Sequence, residues 1–282
     1  MSDFLADCPP LAAVIERLAQ ARFVFFAGLP GTGKSLLLNR LAHAGHGAGR
    51  VVHLLQWDVA RPAFETHPAA RRHAPTGGVT HVVIRRAVGL WVRDALVAWH
   101  HAHASPEHLL IGETPFVGNR FIELARRADD AAEALLRSED CRFVLPIPSR
   151  TVRAFLEAER ERRTTRPMHP RETEDAPPAV LRALWRELAG IGRSVGLGDG
   201  GDAYDPGVYR AVYERVLVHR RVDAIAVETV LPTGGRSVYD FSVPCRDLVP
   251  AAGEAETWIA EVERRYPDLA TLDREVARWW QV

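Results

Sequence analysis

One eight-residue segment constrains the fold of this chain more than any other part of its sequence. Residues 28–35, here called the glycine loop, read Gly-Leu-Pro-Gly-Thr-Gly-Lys-Ser and match G-x-x-x-x-G-K-[ST] at every specified position. A short apolar run at residues 22–27 precedes the loop, and an apolar stretch with helical spacing at residues 35–44 follows it. A glycine turn that binds nothing can have the same composition. Its placement between a buried strand and a helix favours instead a loop whose backbone N–H groups surround a phosphate.

The residues of the glycine loop have distinct expected roles in holding a nucleoside triphosphate. The ammonium group of Lys34 reaches the β- and γ-phosphates, and the hydroxyl group of Ser35 is a ligand of Mg²⁺. We therefore expect Mg²⁺ and ATP as cofactors, with GTP as an alternative to ATP. The residues expected to bind the nucleotide are Gly28, Gly31, Thr32, Gly33, Lys34 and Ser35.

Lys34 is also the single lysine among the 36 lysine and arginine residues of the chain. GC-rich coding is enough to explain the excess of arginine. Lys34 nevertheless lies where a compact ammonium group must enter a tight loop of backbone amides. A planar guanidinium group does not fit such a loop. This coincidence supports a functional role for the glycine loop.

Length, charge and cysteine content limit the classes of protein that this chain can represent. A chain of 282 residues is long enough for one large α/β domain, with or without an insertion. Its formal net charge of zero argues against a dedicated nucleic-acid binder, although a local basic groove stays possible. The cysteines Cys8, Cys141 and Cys245 lack metal-ligand spacing. With no signal peptide and no apolar run of membrane-spanning length, these features predict a cytoplasmic protein.

Apolar runs of strand length alternate with segments of helical spacing along the chain. This alternation predicts βαβ units and a mostly parallel sheet covered by helices on both faces. The predicted strands are residues 22–27, 51–57, 108–112, 142–147 and 223–229. We expect residues 1–282 to form a single domain.

With the glycine loop at the end of its first strand, the chain resembles the P-loop kinase family, which includes nucleoside, nucleotide and small-metabolite kinases. The resemblance extends over residues 22–229 and is specific at the glycine loop. It implies a three-layer α/β/α fold with a five-stranded, mainly parallel sheet of order 2-3-1-4-5. It also implies helical segments for substrate binding at residues 59–107 and for a lid at residues 150–178. Residues 230–282 form a C-terminal extension to which no role is assigned.

The resemblance also assigns roles to two acids at the ends of adjacent strands. Glu113 follows the third strand, where the family has an acid directed at the magnesium ion, and it is therefore an expected catalytic residue and metal ligand with Ser35. Asp58 follows the second strand, nearer the phosphate acceptor, where it can hold the acceptor hydroxyl and take its proton. Arg61 has the spacing of a D-x-x-R pair with Asp58, and Arg120 is a further candidate for substrate binding. Each acid can alternatively be a solvated cap at a strand end.

A very basic helix is predicted at residues 151–163, where kinases of this family have their lid. Arg160 and Arg163 are three residues apart and share one helical face, so they are the expected catalytic arginines. Cationic groups of this kind stabilise charge on the transferred phosphoryl group. The alternative is an exposed helix face on which arginines pair with nearby glutamates.

Histidines His100, His101 and His103 lie at the end of a long predicted helix, where cations suit the helix dipole. Because this run has no partner ligands nearby in the sequence, we do not predict a metal site from it.

The leading hypothesis is a Mg²⁺·ATP-dependent phosphotransferase that acts on a hydroxyl group of a small polar molecule, a nucleoside or a nucleotide. The alternatives are a regulatory or AAA-like ATPase without a small-molecule acceptor, and a kinase acting on a modified base in nucleic acid. A GTPase switch is disfavoured because its N/T-K-x-D motif cannot exist in a chain whose only lysine is Lys34. We expect no membrane partner, do not favour nucleic acid, and leave an oligomer open.

Overall fold

Six parallel strands form the central sheet in the computed structural model, which describes residues 9–198 and 200–282. Their order across the sheet is β5-β4-β1-β3-β2-β6, and each neighbouring pair is parallel. The strands are β1 (Phe23–Ala27), β2 (Val51–Gln56), β3 (His108–Thr114), β4 (Cys141–Pro148), β5 (Val222–Val227) and β6 (Cys245–Asp247).

The predicted α/β class with a parallel sheet is confirmed, whereas the predicted number of five strands was wrong. The observed order contains the sequence 2-3-1-4-5 and adds β6 at the outer edge of β2. Residues Val52, His53 and Leu54 of β2 pair with the three residues of β6. Because β6 reads only Cys-Arg-Asp, it has no apolar run from which a strand can be predicted.

Helices cover both faces of the sheet, as in a three-layer α/β/α fold. Alternate residues of β1 point to opposite faces: Phe23 and Phe25 belong to one core cluster, and Val24 and Phe26 to the other. The helices are α1 (Pro9–Leu18), α2 (Lys34–Gly47), α3 (Trp57–Glu65), α4 (Val82–Ala102), α5 (Ala131–Arg137), α6 (Arg150–Thr165), α7 (Pro178–Ser194), α8 (Pro206–Val216), α9 (Glu254–Arg265) and α10 (Leu269–Ala277).

The two cores divide these helices between the faces. Helices α1 and α2 bury the smaller cluster, which includes Ile15 and Leu38. Helices α4, α8 and α9 bury the larger one, which includes Trp91, Tyr213 and Ile259. The C-terminal extension therefore contributes to the larger core, since α9 packs along α4 and β6 extends the sheet.

Short helices fill the first part of the expected substrate-binding segment, residues 59–107. Helix α3 and a 3₁₀ helix at Pro68–Arg72 occupy much of residues 59–78. Trp57, Ala60 and Phe64 form the buried face of α3, a short stripe that neighbouring Pro, His and Arg residues obscure in the sequence.

Residues 121–137 contain two separate helical pieces, a 3₁₀ turn at Ile122–Leu124 followed by α5. The carboxylate of Asp130 accepts a hydrogen bond from the backbone N–H of Glu133 and so starts α5 afresh. The last part of the expected lid segment, residues 164–178, contains a 3₁₀ helix at Pro170–Glu174 in which Glu172 is buried.

No helix within residues 9–198 and 200–282 combines the length and the apolar character needed to cross a membrane. Cys8 and the start of the chain, on which part of the compartment prediction depends, lie outside the described residues.

Candidate functional site

The glycine loop connects β1 to α2, and its backbone requires glycine at two closely packed positions. Gly28 has a φ of 138°, and a Cβ atom there would lie 2.1 Å from the hydroxyl oxygen of Tyr209. Gly31 has a φ of 75°, and its added Cβ would lie 3.1 Å from Nη1 of Arg153. Both positions combine a left-handed backbone with the close approach of a side chain, so they favour glycine for two independent reasons.

The N-terminus of α2 is directed into the loop without a side chain of its own to cap it. Gly33 is the N-cap residue, with a φ of 86°, and it provides no side-chain hydrogen bond. The first backbone N–H groups of a helix have no partners within the helix, and the helix dipole adds partial positive charge there. Together with the curved loop, this end of α2 can bind an anion.

Lys34 is the cation of this loop, and it is buried. Its side chain folds back so that Nζ donates a hydrogen bond of 2.8 Å to the carbonyl oxygen of Leu29 and lies 3.5 Å from Oε1 of Glu113. Burial lowers the pKa of Lys34, and the charge of Glu113 acts in the opposite direction. An ammonium group held by one carbonyl and one carboxylate can turn toward a phosphate that enters the loop.

Ser35 and Glu113 form the expected pair of metal ligands. The hydroxyl group of Ser35 donates a hydrogen bond of 3.2 Å to Oε2 of Glu113, and the Glu113 side chain is about 20% exposed. A hydroxyl and a partly exposed carboxylate offer the hard oxygen ligands that Mg²⁺ prefers, with room for water on the ion. The residues present therefore fit a magnesium ion beside Lys34.

Arg153 on α6 is a buried cation aimed at the glycine loop, and sequence reasoning did not select it as a site residue. Its Nη1 donates a hydrogen bond of 2.7 Å to the carbonyl oxygen of Pro30, and its Nε donates one of 2.8 Å to Glu157. Within the described residues, its Nη2 is buried without a hydrogen-bond partner. A guanidinium nitrogen in that condition beside an anion-binding loop is suited to contact a ligand. In an arginine-rich helix, no sequence signal distinguishes this arginine from its neighbours.

Arg160 and Arg163, the predicted catalytic arginines, line a cavity of about 250 Å³ together with Lys34. Both are also engaged in ion pairs: Nη2 of Arg160 lies 3.3 Å from Asp175, and Arg163 lies 2.9 Å from Glu159 and 2.8 Å from Glu172. The two arginines of α6 therefore line the cavity and form salt bridges at the same time.

Apolar side chains from two segments also line this cavity. They are Val152, Phe155 and Leu156 of α6, and Leu231 and Pro232 of the segment after β5. A cavity lined by both apolar side chains and charged groups suits a ligand with a planar apolar group and an anionic tail.

Asp58, Arg61 and Arg120 are near one another at the same edge of the sheet. Asp58 lies in the first turn of α3 rather than at the end of β2, and its side chain is 65% exposed. Nη2 of Arg61 lies 3.9 Å from Asp58, but Nη1 lies closer, at 3.2 Å, to Glu65. The expected D-x-x-R pair is thus loose. Burial lowers the pKa of Arg120, and the negative charge of nearby Asp58 acts in the opposite direction.

Arg120 is carried by a tight turn. Phe116 and Arg120 exchange two backbone hydrogen bonds of 2.9 and 3.2 Å, and Phe116, Asn119 and Phe121 have φ angles between 61° and 66°. Left-handed backbone in three non-glycine residues is strained and persists where the surrounding structure holds it. This turn fixes the position of Arg120 opposite α3.

Sequence reasoning also missed the contacts that join the lid segment to the rest of the site. Nη1 of Arg171 donates a hydrogen bond of 3.1 Å to Gln56, the strand partner of Glu113, and its guanidinium group lies 4.8 Å from the ring centre of Tyr239. The hydroxyl group of Tyr239 donates a hydrogen bond of 2.7 Å to Asp175. These partners are far apart in the sequence, so no local pattern indicates them.

Comparison of the chain with protein-family models, curated proteins and solved structures finds no match. Its fold and site geometry are therefore the basis for a functional proposal.

Proposed function

We propose that this protein is a P-loop kinase that transfers the γ-phosphate of Mg²⁺·ATP to a hydroxyl group of a small polar molecule, a nucleoside or a nucleotide. The main support for this proposal is that three features lie at one edge of a parallel sheet. These features are the glycine loop with buried Lys34, the hydrogen-bonded pair of Ser35 and Glu113, and the exposed carboxylate of Asp58 on α3. Ligands of open α/β sheets bind at the carboxyl ends of their strands.

The nucleotide phosphates are held by the backbone N–H groups of the glycine loop and by the ammonium group of Lys34. Ser35 and Glu113 hold Mg²⁺, which shields phosphate charge when bound. The adenine base, or guanine if GTP is used, occupies the apolar part of the cavity near Phe155 of α6 and Pro232, because these side chains line the same cavity as Lys34.

The acceptor lies on the side of the loop that bears Asp58. Its hydroxyl oxygen attacks the γ-phosphorus in line with the bond to the β–γ bridging oxygen, that bond breaks, and ADP leaves. Asp58 accepts the hydroxyl proton, since its exposed carboxylate is open to a substrate on this side of the loop. Arg61 and Arg120 hold the polar or anionic part of the acceptor, since both lie near Asp58.

Arginines of α6 stabilise charge on the transferred phosphoryl group. Arg153 is the strongest candidate because it is buried, contacts Pro30 of the glycine loop and has one nitrogen without a partner in the described residues. Arg160 and Arg163 face the cavity but must exchange their carboxylate partners for phosphate oxygens. This exchange gives the lid segment a means to respond to the nucleotide.

The decisive experiment is a screen of the purified full-length chain with Mg²⁺ and ATP against panels of nucleosides, nucleotides and polyhydroxylated metabolites. A kinase forms ADP in proportion to the phosphorylated acceptor, which mass spectrometry detects. ADP formation at the same rate with and without every acceptor contradicts the proposal and supports an ATPase. Phosphate transfer only to an oligonucleotide bearing a modified base supports the nucleic-acid alternative.

A further inference from the structure

Three histidines converge near the amino ends of β2 and β3, away from the glycine loop. His53 lies on β2, His108 begins β3, and His103 follows the last turn of α4. One ring nitrogen from each lies within 4.8 Å of those of the other two. Nε2 of His53 and Nδ1 of His108 are 3.0 Å apart.

The size of this triangle is close to that of a three-histidine metal site. Zinc binds imidazole nitrogen at about 2.0–2.1 Å, so the nitrogens of a tetrahedral site are roughly 3.4 Å apart. His53 and His108 are already within that spacing. The rings of His103 and His53, and those of His103 and His108, are 4.5 Å apart between centres. The three ring nitrogens already lie within 4.8 Å of one another, so a small movement of the His103 ring toward the other two completes the geometry.

The backbone that carries His103 is held in place by its surroundings. Arg22 donates hydrogen bonds to the carbonyl oxygens of His103 and Ser105, the second at 2.6 Å. The ring of Trp99 packs against both His53 and His103, with ring centres 5.3 and 5.4 Å away. Support of this kind orients metal-binding imidazoles before an ion arrives.

Two charged side chains lie near the cluster. Arg246 on β6 is the strand partner of His53, and Glu107 precedes His108 in the chain. Neutral imidazole is the form that binds a metal ion.

The donor set determines which kind of ion fits. Three imidazole nitrogens suit Zn²⁺ and related transition-metal ions, whereas Mg²⁺ requires oxygen ligands. His103 and His108 are partly exposed, so a water molecule can supply a fourth ligand. Mg²⁺ bound beside Glu113 and a transition metal bound by the histidines therefore do not compete for one site.

We propose that His53, His103 and His108 form a binding site for one Zn²⁺-class ion. Bound there, the ion joins the end of α4 to β2 and β3 and stabilises that corner of the fold. The site lies five residues along β3 from Glu113, about 16 Å at the usual rise of a strand. The role is therefore separate from phosphate transfer. Of the run His100, His101 and His103, only His103 takes part, and the partner ligands come from the two strands.

Isothermal titration of the full-length chain with ZnCl₂, in excess Mg²⁺ at neutral pH, tests the proposal. We expect one ion per chain, and substitution of Co²⁺ should give the intense visible absorption of tetrahedral cobalt. His103→Gln and His108→Gln should each weaken zinc binding by more than about 10-fold, because each removes a ligand. His101→Gln, an exposed neighbour on α4, is the matched control and should bind as the unaltered chain does.

Equal zinc affinity of the unaltered chain, His103→Gln and His108→Gln would overturn the proposal, as would the absence of zinc binding by the unaltered chain. The cluster would then be only a hydrogen-bonded pair of histidines with a third ring beside it. Loss of binding in His73→Gln instead would place the ion beside His73 and Glu263, which are 2.7 Å apart, and would also overturn it. His103 lies outside β2 and β3 and is partly exposed, so its variant gives a result even if His53→Gln does not fold.

Discussion

Lys34 shows how strongly the glycine loop depends on the shape of one side chain. Its ammonium group fits between the carbonyl oxygen of Leu29, 2.8 Å away, and Glu113, and the side chain is almost fully buried. Apart from Lys34, all lysine and arginine residues of this chain are arginines. A guanidinium group is broader and donates in a fixed plane, so it does not fit the same space.

We therefore expect Lys34→Arg to lower phosphate transfer by roughly 100-fold or more, although it keeps the charge. The assay is acceptor-dependent formation of ADP, with nucleotide affinity measured in parallel. Arg162→Lys on α6, whose side chain is 62% exposed, is the control for a general effect of exchanging arginine and lysine. Full activity of Lys34→Arg would refute the steric argument.

The role proposed for Asp58 can be tested separately from nucleotide binding. The Asp58 carboxylate is 65% exposed and only loosely paired with Arg61, at 3.9 Å, so we expect its removal to leave the fold intact. We expect Asp58→Asn to lower kcat by about 10²–10⁴-fold, because the amide cannot take the acceptor proton, with little change in ATP affinity. Single-turnover transfer and nucleotide titration measure the two effects separately.

Asp129→Asn, an exposed acid in the turn before α5, is the matched control for Asp58→Asn. If Asp58→Asn transfers phosphate at the rate of this control, Asp58 is not the base. If instead it loses nucleotide binding along with activity, the carboxylate belongs to the nucleotide site.

At the scale of elements, helices are joined by charged groups whose partners are far apart in the sequence. Glu133 on α5 accepts hydrogen bonds from Arg93 of α4 and from Arg220 after α8. Burial acts to raise the pKa of Glu133, but the hydrogen bonds from Arg220 and Arg93 outweigh it and lower the pKa to about 2.

This lowered pKa predicts a loss of stability in acid. The unfolded chain binds a proton at Glu133 near its ordinary pKa of 4.5, whereas the folded chain does so only near 2. Stability contributed by Glu133 is thus complete above about pH 4.5 and is lost as the pH falls toward about 2. We expect Glu133→Gln to lower the free energy of unfolding at neutral pH by about 2 kcal/mol, as measured by urea denaturation. The variant should also lose less stability than the unaltered chain when the pH is lowered. Glu139→Gln, whose side chain is 87% exposed, should behave as the unaltered chain. The same pH dependence in both variants would contradict this role.

The elements also show which features a sequence can indicate. Strands β1 to β5 were predicted because each contains a short apolar run, which is typical of strands in a parallel sheet. Strand β6 was not predicted, because it is held by backbone pairing with Val52 to Leu54 and not by its own side chains. Helix α3 has only nine residues, which is too short for the spacing of its buried residues to be recognised in the sequence.

Within the candidate site, the glycine loop was predictable because its residues are consecutive and each meets a local steric requirement. The contact of Glu113 with Ser35 followed from strand order, since β3 lies beside β1. The burial of Arg153 and the contact of Ser237 with Glu172 did not follow. Such contacts depend on the packing of distant segments, and any of several arginines or acids satisfies the same sequence pattern.

For the molecule as a whole, the proposed phosphate site and the proposed histidine site lie toward opposite ends of the same strands. Glu113 is near the carboxyl end of β3 and His108 is at its start, about 16 Å away along the strand. They share no ligand. Ligands that bind only the folded chain at independent sites stabilise it by amounts that add.

We therefore expect Mg²⁺ with a non-hydrolysable ATP analogue, and Zn²⁺, each to raise the Tm, and the two shifts to add when both are present. At 100 times its Kd, either ligand contributes about 2.7 kcal/mol, which corresponds to several degrees for a chain of this length. Differential scanning fluorimetry measures both shifts. Lys34→Ala should abolish only the nucleotide shift and His103→Gln only the zinc shift, so failure of one proposal leaves the other shift intact. A zinc shift lost in Lys34→Ala would mean that the two sites are coupled through the sheet.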